Sequence, residues 1–183
     1  MATLAELLAS SLAALKQVQQ SGDFTIVKSG ELSPTHLKRL LANHFLMPVI
    51  KGWYIVTDPR AVPGDSTAWY ASFWNFILRY ATERYGKEWC LSAEQSLAIY
   101  SGSTTVPKQV LIRSPKGNNN SLELLPPTSL FNLEAALPSR IDTDNPYRLN
   151  LYPLAEAIIA ATPAIYKSDA TTMRTALALV RDS

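Results

Sequence analysis

The run SPTHLKRLLANHFLMPVIKGWYIVT, Ser33 to Thr57, places a helix and a hairpin back to back. Ser33 can accept from the exposed amides of a first helical turn, and Pro34 suits the first helical position, where an amide would have no partner within the helix. Leu37, Leu40 and Leu41 form its buried face, leaving Thr35, His36, Lys38, Arg39, Ala42 and Asn43 toward solvent or a partner. Leu46 to Ile50 and Trp53 to Val56 follow as apolar runs separated by Lys51-Gly52. A glycine that can take positive φ makes this a hairpin turn. Pro48 has no amide donor and therefore suits the hairpin's outer, edge strand.

On the amino-terminal side, Leu4, Leu7, Leu8, Leu12, Leu15 and Val18 recur at three- and four-residue spacing, with Ser and Gln between them and a stop at Ser21-Gly22. That periodicity predicts an amphipathic helix. Phe24 to Lys28 then predicts a short strand. Residues 3 to 57 read as helix, strand, helix, hairpin, a reduced winged helix: Lys28 to Leu32 leaves little room for the extra short helix of a full one. The predicted organisation is a winged-helix-like domain over 1–58, a linker over 59–65 containing Pro59, Pro63 and Gly64, and a second domain over 66–183.

In the second domain, Trp69, Phe73, Phe76, Ile77 and Tyr80 line one face of a helix from about Thr67 to Tyr85, started by Asp65 or Ser66 and stopped at Gly86. Such a stripe reads as core or as contact with a neighbouring domain in preference to a base-stacking platform, because stacking aromatics normally project from strands or loops. Trp89 to Leu91, Gln109 to Arg113, Ser129 to Glu134 and Tyr147 to Tyr152 are strand candidates. Ser92 caps a helix through Tyr100; further helices are predicted from Leu154 to about Ala161 and from Thr171 to Asp182. Asn118 to Asn120 reads as a solvated loop. Interleaved strands and helices make the fold class α+β, the second part a small mixed α/β domain.

With 183 residues, 47% of them hydrophobic and 17% charged, the chain can bury a substantial core. Cys90 is the single cysteine, which excludes an internal disulfide and any multi-cysteine metal site. No early basic residues precede an apolar run, and no stretch of about 18 apolar residues occurs. Neither a secretory signal nor a membrane partner is expected, and a cytoplasmic location is.

The charge is local. Between Phe24 and Thr57 the charged residues are Lys28, Glu31, Lys38, Arg39 and Lys51, whereas from Asp65 onward eleven acids balance eleven bases, so the net +2 conceals one basic patch. Lys38, Arg39 and His36 alone could be the solvated side of an amphipathic helix. With Lys51 at the hairpin tip and Lys28 at the preceding strand's end, positive charge falls where a winged helix meets the DNA backbone. Lys28, His36, Lys38, Arg39 and Lys51 are then phosphate candidates, and Thr35, Arg39 and Asn43 could reach base edges.

Sites for chemistry are scarce. His36 and His44 are the only histidines and flank the same helix, so no His–carboxylate cluster or His-rich metal site is available. Ser114-Pro115-Lys116-Gly117 precedes no predicted helix and reads as a turn rather than a phosphate loop; Ser101-Gly102-Ser103 reads as a helix stop rather than a nucleophile elbow. Cys90, between Trp89 and Leu91, reads as a buried thiol, and Asp142 with Asp144 as a solvated pair. No catalytic residue, metal or cofactor is predicted.

The run Leu32 to Leu41, Phe45-Leu46 and Ile50-Lys51-Gly52-Trp53-Tyr54-Ile55 resembles the amino-terminal winged helix of AbiEi-type antitoxins, whose wing commonly reads arginine or lysine, glycine, aromatic or valine, tyrosine. Cys90 to Leu97 and Val110-Leu111-Ile112 resemble that family's second domain. The whole chain, including Gly52-Trp53-Tyr54, Ser66 to Phe73 and Val110 to Gly117, is also similar to the region preceding the catalytic domain in some bacterial Fic-family proteins. The first resemblance implies double-stranded DNA, the protein's own promoter, as one partner and a cognate toxin as another. The second implies a downstream Fic domain beyond Ser183 as partner. Fic enzymes use a His-Pro-Phe motif with a downstream Gly-Asn-Gly-Arg, and the chain contains neither, so no AMP transfer is assigned to its residues.

Overall fold

The computed structural model describes residues 3–21, 25–62 and 64–181. It is α+β, with seven α-helices and two sheets among those residues. The chain forms two compact units, Met1–Phe76 and Ile77–Ser183.

In the first unit, α1 (Leu4–Ser21) is followed by β1 (Ile26–Lys28), a 3-10 turn (Ser29–Glu31), α2 (Pro34–Ala42), β2 (Leu46–Ile50) and β3 (Trp53–Val56). Thr3 and Glu6 close the start of α1 reciprocally, each side chain accepting from the other's backbone amide. The predicted stop at Gly22 and the strand's first residue, Phe24, lie outside the described residues. Ser33 caps α2 by accepting from the amide of His36 at 3.3 Å, with Pro34 at the first helical position. The helix ends with His44 in the left-handed region, at φ 58°, and with the amide of Phe45 bonded back to Leu40.

The sheet runs β1-β3-β2, antiparallel throughout. β2 is therefore an edge strand, as Pro48 requires. Lys51-Gly52 makes the turn with Gly52 at φ 81°, a conformation that favours glycine, and the Gly52 carbonyl accepts from Ser29 at 2.9 Å. That bond joins the hairpin tip to the 3-10 turn. Leu15, Val27, Leu32, Leu40 and Leu46 are buried together, with Leu12, Leu37, Phe45 and Tyr54 packed against them.

Helix α3 (Thr67–Tyr85) has the bounds the sequence predicts. The Asp65 carboxylate accepts from the Thr67 amide at 2.8 Å and the Ser66 carbonyl from Tyr70, so both residues take part in starting it. Pro63 of the predicted linker lies outside the described residues. Trp69, Phe73, Phe76, Ile77 and Tyr80 are all buried, which makes the aromatic stripe core.

The second unit holds β4 (Cys90–Leu91), α4 (Ala93–Tyr100), β5 (Gln109–Ser114), β6 (Asn120–Glu123), β7 (Ser129–Glu134), α5 (Leu154–Ala160), α6 (Ile165–Ser168) and α7 (Ala170–Arg181). Asp182, predicted to end the last helix, is outside the described residues. The sheet order is β4-β5-β7-β6, with β5 and β7 parallel and the other pairs antiparallel, so it is mixed. Besides the short helix α6, which the sequence does not predict, two elements depart from the sequence's prediction. Asn120 opens strand β6 instead of closing a loop, because β7 supplies its pairing partners, Asn120 facing Asn132. Tyr147 to Tyr152 is not a strand, and its ladder is a single bridge between Asp142 and Leu151. The Asn145 side chain accepts from the amides of Tyr147 and Leu149 and donates to the Leu149 carbonyl, drawing the segment into a turn with Arg148 at φ 53°.

Ser114 to Gly117 is a turn at the end of β5. The Gly117 amide donates to the Ser114 carbonyl at 3.0 Å, and a Cβ on Gly117 would lie 2.3 Å from the Leu133 carbonyl oxygen. Because that obstacle is strand backbone, Gly117→Ala is expected to lower stability by about 1–3 kcal/mol. Urea unfolding of the variant checks this, and an unchanged midpoint would show that β7 yields freely.

Candidate nucleic-acid interface

The seven residues singled out by the sequence do not behave as one set. Thr35 and Lys38 lie on the exposed side of α2 at a three-residue spacing, with Ala42 continuing the same ridge. Lys51 is exposed at the hairpin tip. Neither Lys38 nor Lys51 has an ion-pair or hydrogen-bond partner among the described residues. Lys28 projects its ammonium over the Trp53 ring, 5.2 Å from the centroid, a contact favoured by the negative face of the indole. Asn43 is exposed, but its side-chain amide donates to the Arg39 carbonyl at 2.8 Å and so closes the end of α2.

The sequence leaves His36 and Arg39 toward solvent or a partner, and in the structure both are half-buried. Both turn onto α1 and meet Ser11, which is fully buried. Arg39 Nη1 donates to Ser11 Oγ at 2.8 Å and to the Leu7 carbonyl at 3.0 Å, while His36 Nδ1 lies 3.0 Å from the same Oγ. The three faces of α2 thus divide cleanly. Leu37, Leu40 and Leu41 pack into the core, His36 and Arg39 fasten α1, and Thr35, Lys38 and Ala42 face outward. In the sequence Ser11 is one of several polar residues between leucines. Its signal was positional: four residues after Leu7 and four before Leu15, it lies on the buried stripe, where a hydroxyl needs a partner.

A groove of about 750 Å³ opens beside β2, walled by Leu41, Leu46, Met47, Pro48 and Val62. The carboxylates on its rim are engaged, Asp58 by a two-point contact from Arg60 and Asp65 by the Thr67 amide. The hydrogen bonds from Arg60 hold the Asp58 carboxyl below its ordinary range.

In the second unit, residues considered for chemistry have structural engagements. Asp142 accepts from the Tyr100 hydroxyl at 2.6 Å and from the Asp144 amide at 2.9 Å. Gly102, at φ 78°, ends α4. Cys90 is buried and a free thiol. Lys116 pairs with Glu88 beside the Ser114 turn. Among the described residues no three His, Cys, Asp or Glu side chains gather to hold a metal ion, and no helix is long and apolar enough to cross a membrane.

No protein-family model matches the chain, and no significant match occurs among curated proteins or solved structures.

Proposed function

We propose that this chain is a non-catalytic DNA-binding regulatory module of the antitoxin kind, whose residues 1–58 act as a reduced winged helix. The observation that carries this is the position of the two unpaired lysines: Lys38 on the outward ridge of α2 and Lys51 on the hairpin tip. Those are the helix and wing positions from which such a fold reaches phosphates on either side of a groove. The connectivity supports it as well. The 3-10 turn at Ser29–Glu31 stands where a full winged helix has its extra short helix, and β3 is central with Pro48 on the outer strand. Thr35 is exposed near the start of α2, and this reading assigns base contact to it. The intended partner is the protein's own promoter, and the second unit is left for a cognate toxin.

Binding to duplex DNA from the chain's own upstream region, followed by fluorescence anisotropy across salt concentrations, tests this. Affinity should fall steeply with salt. Lys38→Ala and Lys51→Ala should each weaken binding on all sequences and flatten the log–log slope by about 0.9 per lost contact. Absence of saturable binding at low salt overturns the proposal.

A further inference from the structure

We infer that Arg39 is a phosphate fork held ready by α1, with Ser11 as its positioning residue; its placement against duplex DNA rests on the function proposed above. Arg39 Nη1 uses both of its hydrogens on α1, one toward Ser11 Oγ at 2.8 Å and one toward the Leu7 carbonyl at 3.0 Å. Both acceptors are neutral. No carboxylate meets this guanidinium among the described residues, so its full positive charge is retained while one of its three nitrogens is fixed.

The other two nitrogens, Nε and Nη2, present their N–H groups side by side. That edge matches two oxygens of one phosphate, and a lysine cannot reproduce it. An arginine already fastened at one nitrogen has lost most of its rotamer freedom before a ligand arrives, which favours binding by lowering the ordering cost. Ser11 supplies the fastening. Its hydroxyl donates to the Leu7 carbonyl at 3.0 Å, so its oxygen accepts from Arg39 and, in the Nδ1–H form, from His36. Since Ser11 is fully buried, it acts only through these partners. Arg39 is thereby assigned to the backbone rather than to base edges, which leaves base contact to Thr35.

The test uses the full chain, the Nε–Hε NMR resonance of Arg39, and two probes: inorganic phosphate and the upstream duplex. Both probes should shift that resonance in the wild type. Arg39→Lys, which keeps the charge, should bind the duplex about tenfold more weakly. Ser11→Ala, which suits a helix, should weaken binding severalfold with circular dichroism unchanged. Ser11→Ala combined with Arg39→Ala should bind no more weakly than Arg39→Ala alone. A shift with phosphate in a chain that does not bind the duplex would support the fork and overturn the DNA function. Duplex binding through Lys38 and Lys51 with the Arg39 resonance unmoved, or additive losses for Ser11→Ala and Arg39→Ala, would overturn the fork and leave the DNA function standing. No response to either probe overturns both.

Discussion

Truncating Trp69 to alanine is expected to lower stability by about 3–5 kcal/mol, the range for removing a fully buried large aromatic side chain. Trp69 is 1% exposed and meets Phe73 and Phe76 edge-on, with ring centroids 5.3 and 5.5 Å apart. Phe76 in turn meets Trp53 at 5.7 Å, so the cluster ties α3 to the central strand of the first sheet. Removing the indole loses its transfer free energy, leaves a cavity, and breaks two aromatic contacts at once. Trp69→Phe keeps most of the volume and should cost much less. Urea unfolding followed by far-ultraviolet circular dichroism reads both variants. A loss below about 1 kcal/mol for Trp69→Ala would show that the stripe packs loosely. The same geometry bears on the choice posed by the sequence: an indole with almost no exposed surface has no face on which a base could stack.

The elements that the sequence announced were those whose signals are local. Ser33-Pro34 fixed the start of α2, Gly52 the hairpin turn, and Asp65-Ser66 the start of α3, because each satisfies a backbone requirement within a few residues. What stayed hidden depended on partners far along the chain. β6 exists because β7 offers it a ladder, and nothing in Asn120 to Glu123 alternates strongly enough to show it. The loss of a strand at Tyr147 is a local effect, but it hinges on one side chain, Asn145, competing for amides that a run of alternating residues would otherwise offer to a sheet. At the candidate site the residue types were legible and their directions were not. His36 and Arg39 are polar on a helix with a leucine face, and only the crossing of α1 over α2 decides that they also meet Ser11. The contacts from Arg39 and His36 to Ser11 span 28 and 25 residues, beyond the reach of any periodicity.

Stability should fall in alkaline solution, and Cys90 should carry a separable part of that fall. Cys90 is fully buried in β4, beside Ala93, Leu97, Tyr152 and Met173. Burial pushes its thiol from an ordinary 9.0 up to about 12, opposed in part by the charge of Arg113, its cross-strand neighbour. A raised pKa means that the unfolded chain loses this proton first. The contribution is therefore fully present below about pH 9 and is lost as pH rises toward 12. At 1.36 kcal/mol per unit, the loss is about 3 kcal/mol by about pH 11. Burial also raises the phenols of Tyr85, Tyr100 and Tyr152, adding a fall above their own ordinary value of 10.0. Cys90→Ala separates the two. It removes the thiol while keeping the three phenols, so its stability should start lower at pH 8 from lost packing and decline more gently thereafter. Urea midpoints for both proteins between pH 8 and 11 give the comparison, and parallel curves would show that the thiolate is accommodated without cost. Alkylation gives an independent reading: a thiol kept protonated and enclosed should react with iodoacetamide far more slowly in the folded chain at pH 8 than in urea.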